Sequence, residues 1–304
     1  MRGQRLIAGA IALLLPVVTG GWTAVFAAEP TPRATPAPQR TYPVGVRTLA
    51  FGRDGRPLPT VVWYPARSGS IGGAPHVDAP IAVGRFPLVL LSHGLHGLPT
   101  HLAPLAIRWA AAGFVVAAPT YPYTNLRATP FDRSDVRNQP ADARRVIAQL
   151  SRLNEVAGDP FNGHLDPTRV AAAGHSAGGF TTAGLFTHGH SSRLRGGIVI
   201  AGGMRGRFGG PPAPLLFIHG GADPTVTLAT GLDAYQRAPW PKGFLTLTGQ
   251  RHGEYLIPGH PGFDEVIRTT TDFLRWTLYG DAAARARLSR GASSPGVATW
   301  FGRI

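Results

Sequence analysis

A glycine-flanked serine is the strongest chemical signal in this sequence. The string GHSAGG at positions 174–179 fits the pattern G-x-S-x-G and lies between a strand-like run and a helix-like segment. Such a tight strand-to-helix turn needs glycines two residues before and after the serine, because side chains there would clash. The turn lifts the hydroxyl out of the sheet, and the positive end of the helix faces developing negative charge. This context predicts that Ser176 is a nucleophile.

A serine hydroxyl is a weak nucleophile, so it needs a base, and the base needs an acid to orient it. In folds with this turn, the acid and then the histidine follow the serine along the chain. Asp223 follows the strand-like run LLFIH, and His252 follows the run FLTLT. We therefore expect Asp223 to orient His252, and His252 to take the proton of the serine. His260, in a Pro-Gly-His-Pro-Gly turn, is the other downstream histidine and the weaker candidate.

Two backbone N–H groups are expected to stabilise an oxyanion beside the serine. One belongs to Ala177, directly after the nucleophile. The other belongs to Leu95 in the loop SHGLHG at 92–97, which follows an apolar run. His93 is expected to brace this loop through hydrogen bonds.

Candidate substrate contacts follow other strand-like runs. Tyr121 and Tyr123 come after the run at 114–118, and Met204 comes after the run at 197–201. Aromatic residues in such loops serve packing as often as binding, so both roles stay open. No metal ion or organic cofactor is expected, because no carboxylate cluster accompanies the pair His188 and His190.

Strand and helix signals alternate from residue 42 onward, which predicts a mostly parallel central sheet flanked by helices. An antiparallel pair joined at Asp54-Gly55 is expected to open the fold. Helices are expected near 102–109, 146–153 and 263–274 and after the serine. Strands are expected at 46–51, 59–64, 87–92, 114–118, 169–173, 197–201, 215–219 and 244–248. The connections are short, so no large cap domain is expected.

The N-terminus has the pattern of an export signal. Two arginines precede an apolar run at 6–18, and Val25-Phe26-Ala27 suits a cleavage site. We predict a signal peptide at 1–28, a Pro-rich linker at 29–41, an α/β domain at 42–280 and a basic C-terminal tail at 281–304. The protein is therefore expected to be secreted or to lie in the periplasm or cell envelope, and an uncleaved membrane anchor is the alternative.

Composition narrows the possible classes. The chain has 304 residues, of which 43% are hydrophobic and 15% charged, as expected of a folded enzyme. The net charge of +14 comes from scattered arginines and a single lysine, which argues against a nucleic-acid partner. Weak association with anionic envelope surfaces remains open. The absence of cysteine excludes disulfides and thiolate catalysis.

Several strings together resemble bacterial dienelactone-hydrolase-like and platelet-activating-factor-acetylhydrolase-like serine esterases, with cutinases as similar relatives. The resemblance covers roughly residues 43–280. It implies the α/β-hydrolase fold and a Ser-Asp-His triad that cleaves carboxylic esters. Dienelactone hydrolases proper use a cysteine where this chain has a serine. The strings are LPTVVWYPA (58–66), FPLVLLSHGLHG (86–97), AAAGFVVAAPTYP (110–122), QPADARRVIAQL (139–150), LDPTRVAAAGHSAGG (165–179) and GAD (221–223).

The sequence thus predicts a secreted serine hydrolase that cleaves small-molecule or lipid esters through an acyl-enzyme. Two alternatives remain at this point. One keeps the triad but cleaves amides or acyl-peptides. The other is a catalytically inactive hydrolase fold that serves as a binding protein of the cell envelope.

Overall fold

The centre of the structure is a single sheet of ten strands. In the computed structural model, which describes residues 36–304, the strands are β1 (Val44–Arg53), β2 (Arg56–Pro65), β3 (His76–Val77), β4 (Phe86–Ser92), β5 (Val115–Pro119), β6 (Leu165–His175), β7 (Leu194–Ile200), β8 (Leu215–Gly220), β9 (Lys242–Leu247) and β10 (Ala298–Arg303). Their order is β10-β9-β8-β7-β6-β4-β5-β2-β1-β3. Strands β4 to β9 run parallel to one another, whereas β1–β2, β2–β5 and β9–β10 pair antiparallel. This mixed, mostly parallel sheet confirms the predicted α/β architecture.

Helices cover both faces of the sheet. They are α1 (Ala103–Ala111), α2 (Gln139–Leu153), α3 (Ala177–Leu185), α4 (Leu228–Arg237), α5 (Phe263–Leu274) and α6 (Ala282–Gly291). Single turns lie at Pro99–Leu102, Arg133–Arg137 and Glu254–Leu256, and a π-helical turn at Arg275–Tyr279 follows α5. Side chains of α1, α5 and α6 share one apolar core, and those of α2, α3 and α4 share the other.

The strands supply both cores by simple alternation. All seven residues of β4 are buried. Val89 and Leu91 belong to the first core, whereas Leu88 and Leu90 belong to the second. This is the period of two expected of an extended chain, and it explains why the central strands are apolar at every position.

The predicted opening hairpin is present. Asp54 and Gly55 join β1 to β2, with φ angles of 47° and 75°. Positive φ at both positions gives the turn a twist that matches its strands. The chain between β7 and β8, residues 201–214, contains no helix or strand, so no cap domain is inserted there.

The segment after Gly280 differs from the weakly patterned tail that the sequence predicts. It forms α6 and then β10, which pairs antiparallel with β9. The apolar contacts of α6 come from few residues: Ala284 and Leu288 are buried, and most of the other helix positions that the structure describes are exposed. Such a sparse stripe gives little periodic signal in a sequence.

The N-terminal predictions fall partly outside the structure. The predicted signal peptide at 1–28 lies outside the described residues. Of the predicted linker, residues 36–41 are described, and Ala37 is buried while the Pro38 carbonyl oxygen accepts a hydrogen bond from Arg275. Within residues 36–304, no helix is both long enough and apolar enough to cross a membrane.

Candidate active site

Ser176 occupies a strained turn between the end of β6 and the start of α3. Its backbone angles are φ 58° and ψ −121°, which non-glycine residues rarely adopt. The two flanking positions must be glycine because a side chain at either one would clash with nearby backbone. A Cβ on Gly174 would lie 2.2 Å from the Gly178 carbonyl oxygen, and one on Gly178 would lie 2.0 Å from the Ser92 carbonyl oxygen. The close packing on both sides holds the turn in its strained form.

His252 links the serine to a buried carboxylate. Its Nε2 lies 2.8 Å from the Ser176 Oγ, and its Nδ1 lies 2.7 Å from the Asp223 Oδ2. Because an ionised carboxylate only accepts, Nδ1 carries the hydrogen and Nε2 is free to accept the serine proton. The structure therefore brings the three sequence-predicted residues into one hydrogen-bonded chain. His260, the weaker candidate, lies in an exposed turn.

The Asp223 carboxylate is held by more than the histidine. Its Oδ1 accepts hydrogen bonds from the backbone N–H groups of Thr225 (2.8 Å) and Val226 (3.0 Å). Burial alone would raise the pKa of Asp223, but the bonds from His252 and from these N–H groups outweigh it and lower the pKa. The carboxylate thus stays ionised and fixed in direction. The buried His219 ring lies 3.6 Å away, and burial lowers its pKa.

His175, the variable residue of the glycine-serine string, packs beside the base. Its ring centroid lies 4.8 Å from that of His252, and its Nε2 donates a short hydrogen bond to the His252 carbonyl oxygen. Burial lowers the pKa of His175 to about 4, so the ring is neutral at ordinary pH. It therefore ties the backbone of the base without adding a competing positive charge.

The predicted oxyanion loop passes directly over the serine. A Cβ on Gly94 would lie 3.0 Å from the Ser176 Cβ, so only a bare backbone fits there. Within residues 36–304, the N–H groups of Leu95 and Ala177 donate to no backbone or side-chain acceptor. Both residues line cavities that open at the serine. These two N–H groups are thus available as donors to a ligand.

His93 braces this loop from below. Its Nδ1 donates to the Gly94 carbonyl oxygen at 2.7 Å, and its Nε2 accepts from the Tyr121 N–H at 3.1 Å. Burial lowers its pKa to about 4, which suits a neutral ring with one donor and one acceptor. The second anchor is a backbone bond from the His96 N–H to the Thr124 carbonyl oxygen.

Of the two roles left open for Tyr121, the structure shows packing. Its side chain is fully buried, and its hydroxyl hydrogen-bonds the Ser92 Oγ at 2.8 Å beneath the loop. Tyr121 is thus a packing residue and does not line either cavity at the serine.

The other two predicted substrate contacts also lie elsewhere. Tyr123 is 38% exposed. The Arg56 guanidinium lies over its ring, with the Arg56 Cζ 5.2 Å from the Tyr123 ring centroid. Met204 is buried, and its carbonyl oxygen accepts from Arg237. Neither side chain lines the cavities at Ser176.

Two cavities meet at Ser176, of about 280 Å³ and about 570 Å³. They share Leu95, His96, Ser176 and His252. The smaller is further lined by His93, Gly94, Gly97, His101, Leu102, His175, Gly253, Leu256 and Ile257. The larger is further lined by Phe131, Arg133, Val136, Ala177, Phe180, Arg205, Thr225 and Val226. The cleft is therefore divided at the serine into a narrow and a wide side.

Sequence reasoning missed the walls of this cleft. The His96 and Phe131 rings stack with centroids 3.9 Å apart, and Arg205 lies over the Phe180 ring at 5.2 Å. A usable signal existed for His96, because it follows Leu95 in the predicted oxyanion loop. Phe131 and Arg205 lie far along irregular loops, where spacing gives no indication of direction.

Among residues 36–304, no group of three histidine, cysteine, aspartate or glutamate side chains is placed to hold a metal ion.

No model of a known protein family matches the chain, and no curated protein matches its sequence.

Proposed function

We propose that this protein is a serine esterase of the α/β-hydrolase fold. One observation carries the proposal: Ser176, His252 and Asp223 form a continuous hydrogen-bonded chain at a strained strand-to-helix turn. A nucleophile, a base and an orienting acid in this geometry perform acyl transfer on several unrelated folds. The resemblance to dienelactone-hydrolase-like and acetylhydrolase-like esterases supports esters as the substrates.

In the first half of the reaction, the serine attacks the ester carbonyl. The Ser176 proton moves to His252 Nε2 as the Oγ–carbon bond forms. The imidazolium that results is stabilised by the ionised Asp223 at Nδ1. The carbonyl oxygen becomes an oxyanion, which the Leu95 and Ala177 N–H groups stabilise. His252 then gives the proton to the alcohol oxygen, and the alcohol leaves.

In the second half, water cleaves the acyl-enzyme by the same route. His252 takes a proton from water, the hydroxide attacks the acyl carbon, and the same two N–H groups hold the new oxyanion. The proton returns to Ser176 as the acid leaves. Neutral His175 supports this cycle, because it fixes the His252 backbone while His252 changes charge twice.

The lining of the cleft limits the substrates. Its side chains are mainly apolar or histidine, with two guanidinium groups from Arg133 and Arg205 and no exposed carboxylate. Such a lining suits a neutral or anionic ester better than a cationic one. The larger group of the ester is expected on the wide side, which has about twice the volume of the narrow side. The predicted signal peptide makes secretion part of the proposal.

Active-site labelling tests the proposal. A fluorophosphonate probe is expected to attach to Ser176 in the folded protein and not after denaturation. Ser176→Ala should abolish labelling, and Ser68→Ala, at an exposed serine remote from the site, should leave it unchanged. Absence of an adduct on Ser176 in folded protein would refute the proposed nucleophile.

Matched substrates separate esters from amides. We expect turnover of p-nitrophenyl acetate and slow or no turnover of the corresponding anilide. Turnover of the anilide at a comparable rate would make the protein an amidase. A labelled Ser176 without turnover of either would favour the binding protein.

A further inference from the structure

A second groove lies far from Ser176, between helix α2 and the segment 189–194. Its walls include one face of α2, at Arg144, Ile147, Ala148, Ser151 and Arg152, and Glu155 just beyond the end of that helix. These positions recur every three or four residues, as one side of a helix requires. The groove has a volume of about 510 Å³, within the range of small-molecule sites.

The floor of this groove is apolar. Val170, Leu185 and Leu194 are buried beneath it, and Ile147 is half-buried on its wall. The face of α2 from residue 144 to 152 is roughly 12 Å long at ~1.5 Å per residue. An extended hydrocarbon chain therefore fits along the helix better than a compact polar molecule does.

The rim of the groove is positively charged. It carries Arg144, Arg152 and Arg193 against a single carboxylate, Glu155. In residues 36–304 none of these four side chains forms an ion pair with another residue. Arg144 donates to the Gly184 carbonyl oxygen, which holds its guanidinium near the groove. An apolar floor beneath uncompensated guanidinium groups complements an anion with a hydrocarbon tail.

We propose that this groove is a second binding site, for a single-chain fatty carboxylate. The hydrocarbon chain lies over Val170, Leu185 and Leu194, and the carboxylate pairs with Arg152 and Arg193 at the rim. Arginine suits a carboxylate because its fork of donors can bind both oxygens.

The site is separate from the catalytic one. Val170 lies six residues before Ser176 on β6, which places the two roughly 20 Å apart at ~3.3 Å per residue of strand. None of the residues that line the groove lines either cavity at the serine. Binding there requires no ester cleavage, so the inference does not depend on the proposed function.

Calorimetric titration of dodecanoate, below its micelle concentration, tests the site. Ser176→Ala protein is used so that the result is independent of the proposed chemistry. We expect saturable one-to-one binding, weakened about fivefold to tenfold by the double variant Arg152→Gln/Arg193→Gln. The matched control is Arg205→Gln, which removes a guanidinium from the catalytic cleft and should leave the affinity unchanged.

Ligand chemistry provides the second arm. Dodecanol, which lacks the charge, and butanoate, which lacks the chain, should each bind at least fivefold more weakly than dodecanoate. The proposal fails if dodecanoate does not saturate, if dodecanol binds as tightly, or if Arg205→Gln weakens binding while the double variant does not. The last result would place the fatty anion in the catalytic cleft.

Discussion

Replacement of Asp223 by asparagine is the sharpest test of the site, because the structure dictates how the new side chain must sit. The Asp223 Oδ1 accepts from the backbone N–H groups of Thr225 and Val226. An asparagine must keep its oxygen there, since its NH₂ group cannot face two donors. The NH₂ group then takes the place of Oδ2 and faces His252 Nδ1.

This arrangement forces His252 into the tautomer that cannot act as the base. With a donor facing it, His252 Nδ1 must accept, so the ring hydrogen moves to Nε2. Nε2 then cannot take the proton of Ser176, although every heavy atom keeps its place. Loss of this step and of the charge that stabilises the imidazolium is expected to lower kcat by about 10⁴, or roughly 5 kcal/mol of barrier.

The assay is the steady-state hydrolysis of p-nitrophenyl acetate by Asp223→Asn and by a matched control, Asp233→Asn. The Asp233 side chain is 61% exposed and forms an ion pair with Arg237, so the control should stay within twofold of the original rate. Thermal unfolding of both proteins shows that the fold survives. A kcat for Asp223→Asn above one tenth of the original, in folded protein, would refute the assignment of the acid.

Three further predictions follow from the same geometry. His175→Leu removes the donor to the His252 carbonyl and should lower kcat about ten- to a hundredfold with KM nearly unchanged, whereas His175→Gln should restore part of the rate. Gly178→Ala places a Cβ 2.0 Å from the Ser92 carbonyl oxygen, so we expect loss of soluble, folded protein by circular dichroism. Burial lowers the pKa of His93 and of His175 from 6.5 to about 4, so the unfolded chain binds their protons first as the pH falls. Stability should thus be full above pH 6.5 and fall toward pH 4 by about 1.4 kcal/mol per pH unit for each histidine. Urea midpoints measured across this range check the slope, which should be shallower in His93→Gln.

The central sheet was predictable because its strands are buried on both faces. A run such as that of β4 is apolar at every position, which is a strong and local signal. The β1–β2 turn was equally local, since Asp54-Gly55 suits positive φ at both positions. Strand β10 was missed although Thr299, Trp300 and Phe301 favour strands, because one of its six residues is buried and no alternating pattern marks it.

The sequence likewise predicts one part of the candidate site, the catalytic residues, and does not predict the other part, the walls of the cleft. Ser176, Asp223 and His252 each follow a recognisable strand, so their meeting at one edge of the sheet could be expected. Some walls of the cleft, such as His96, Phe131 and Arg205, come from irregular loops, where side-chain direction depends on tertiary contacts. Tyr121 is an example. Its position after β5 is compatible with a place in a pocket, but its hydroxyl forms a hydrogen bond with Ser92 under the loop.

Strand β10 also affects how copies of this protein meet one another. Without it, β9 would present a row of unpaired N–H and C=O groups, which is a template for pairing with a second chain. The new edge is itself partly closed, because the Trp300 N–H donates to Ser293 Oγ and Ser294 bridges to Ala298. The C-terminal segment thus covers the β9 edge of the sheet, the edge at which a second chain would otherwise find unpaired backbone groups.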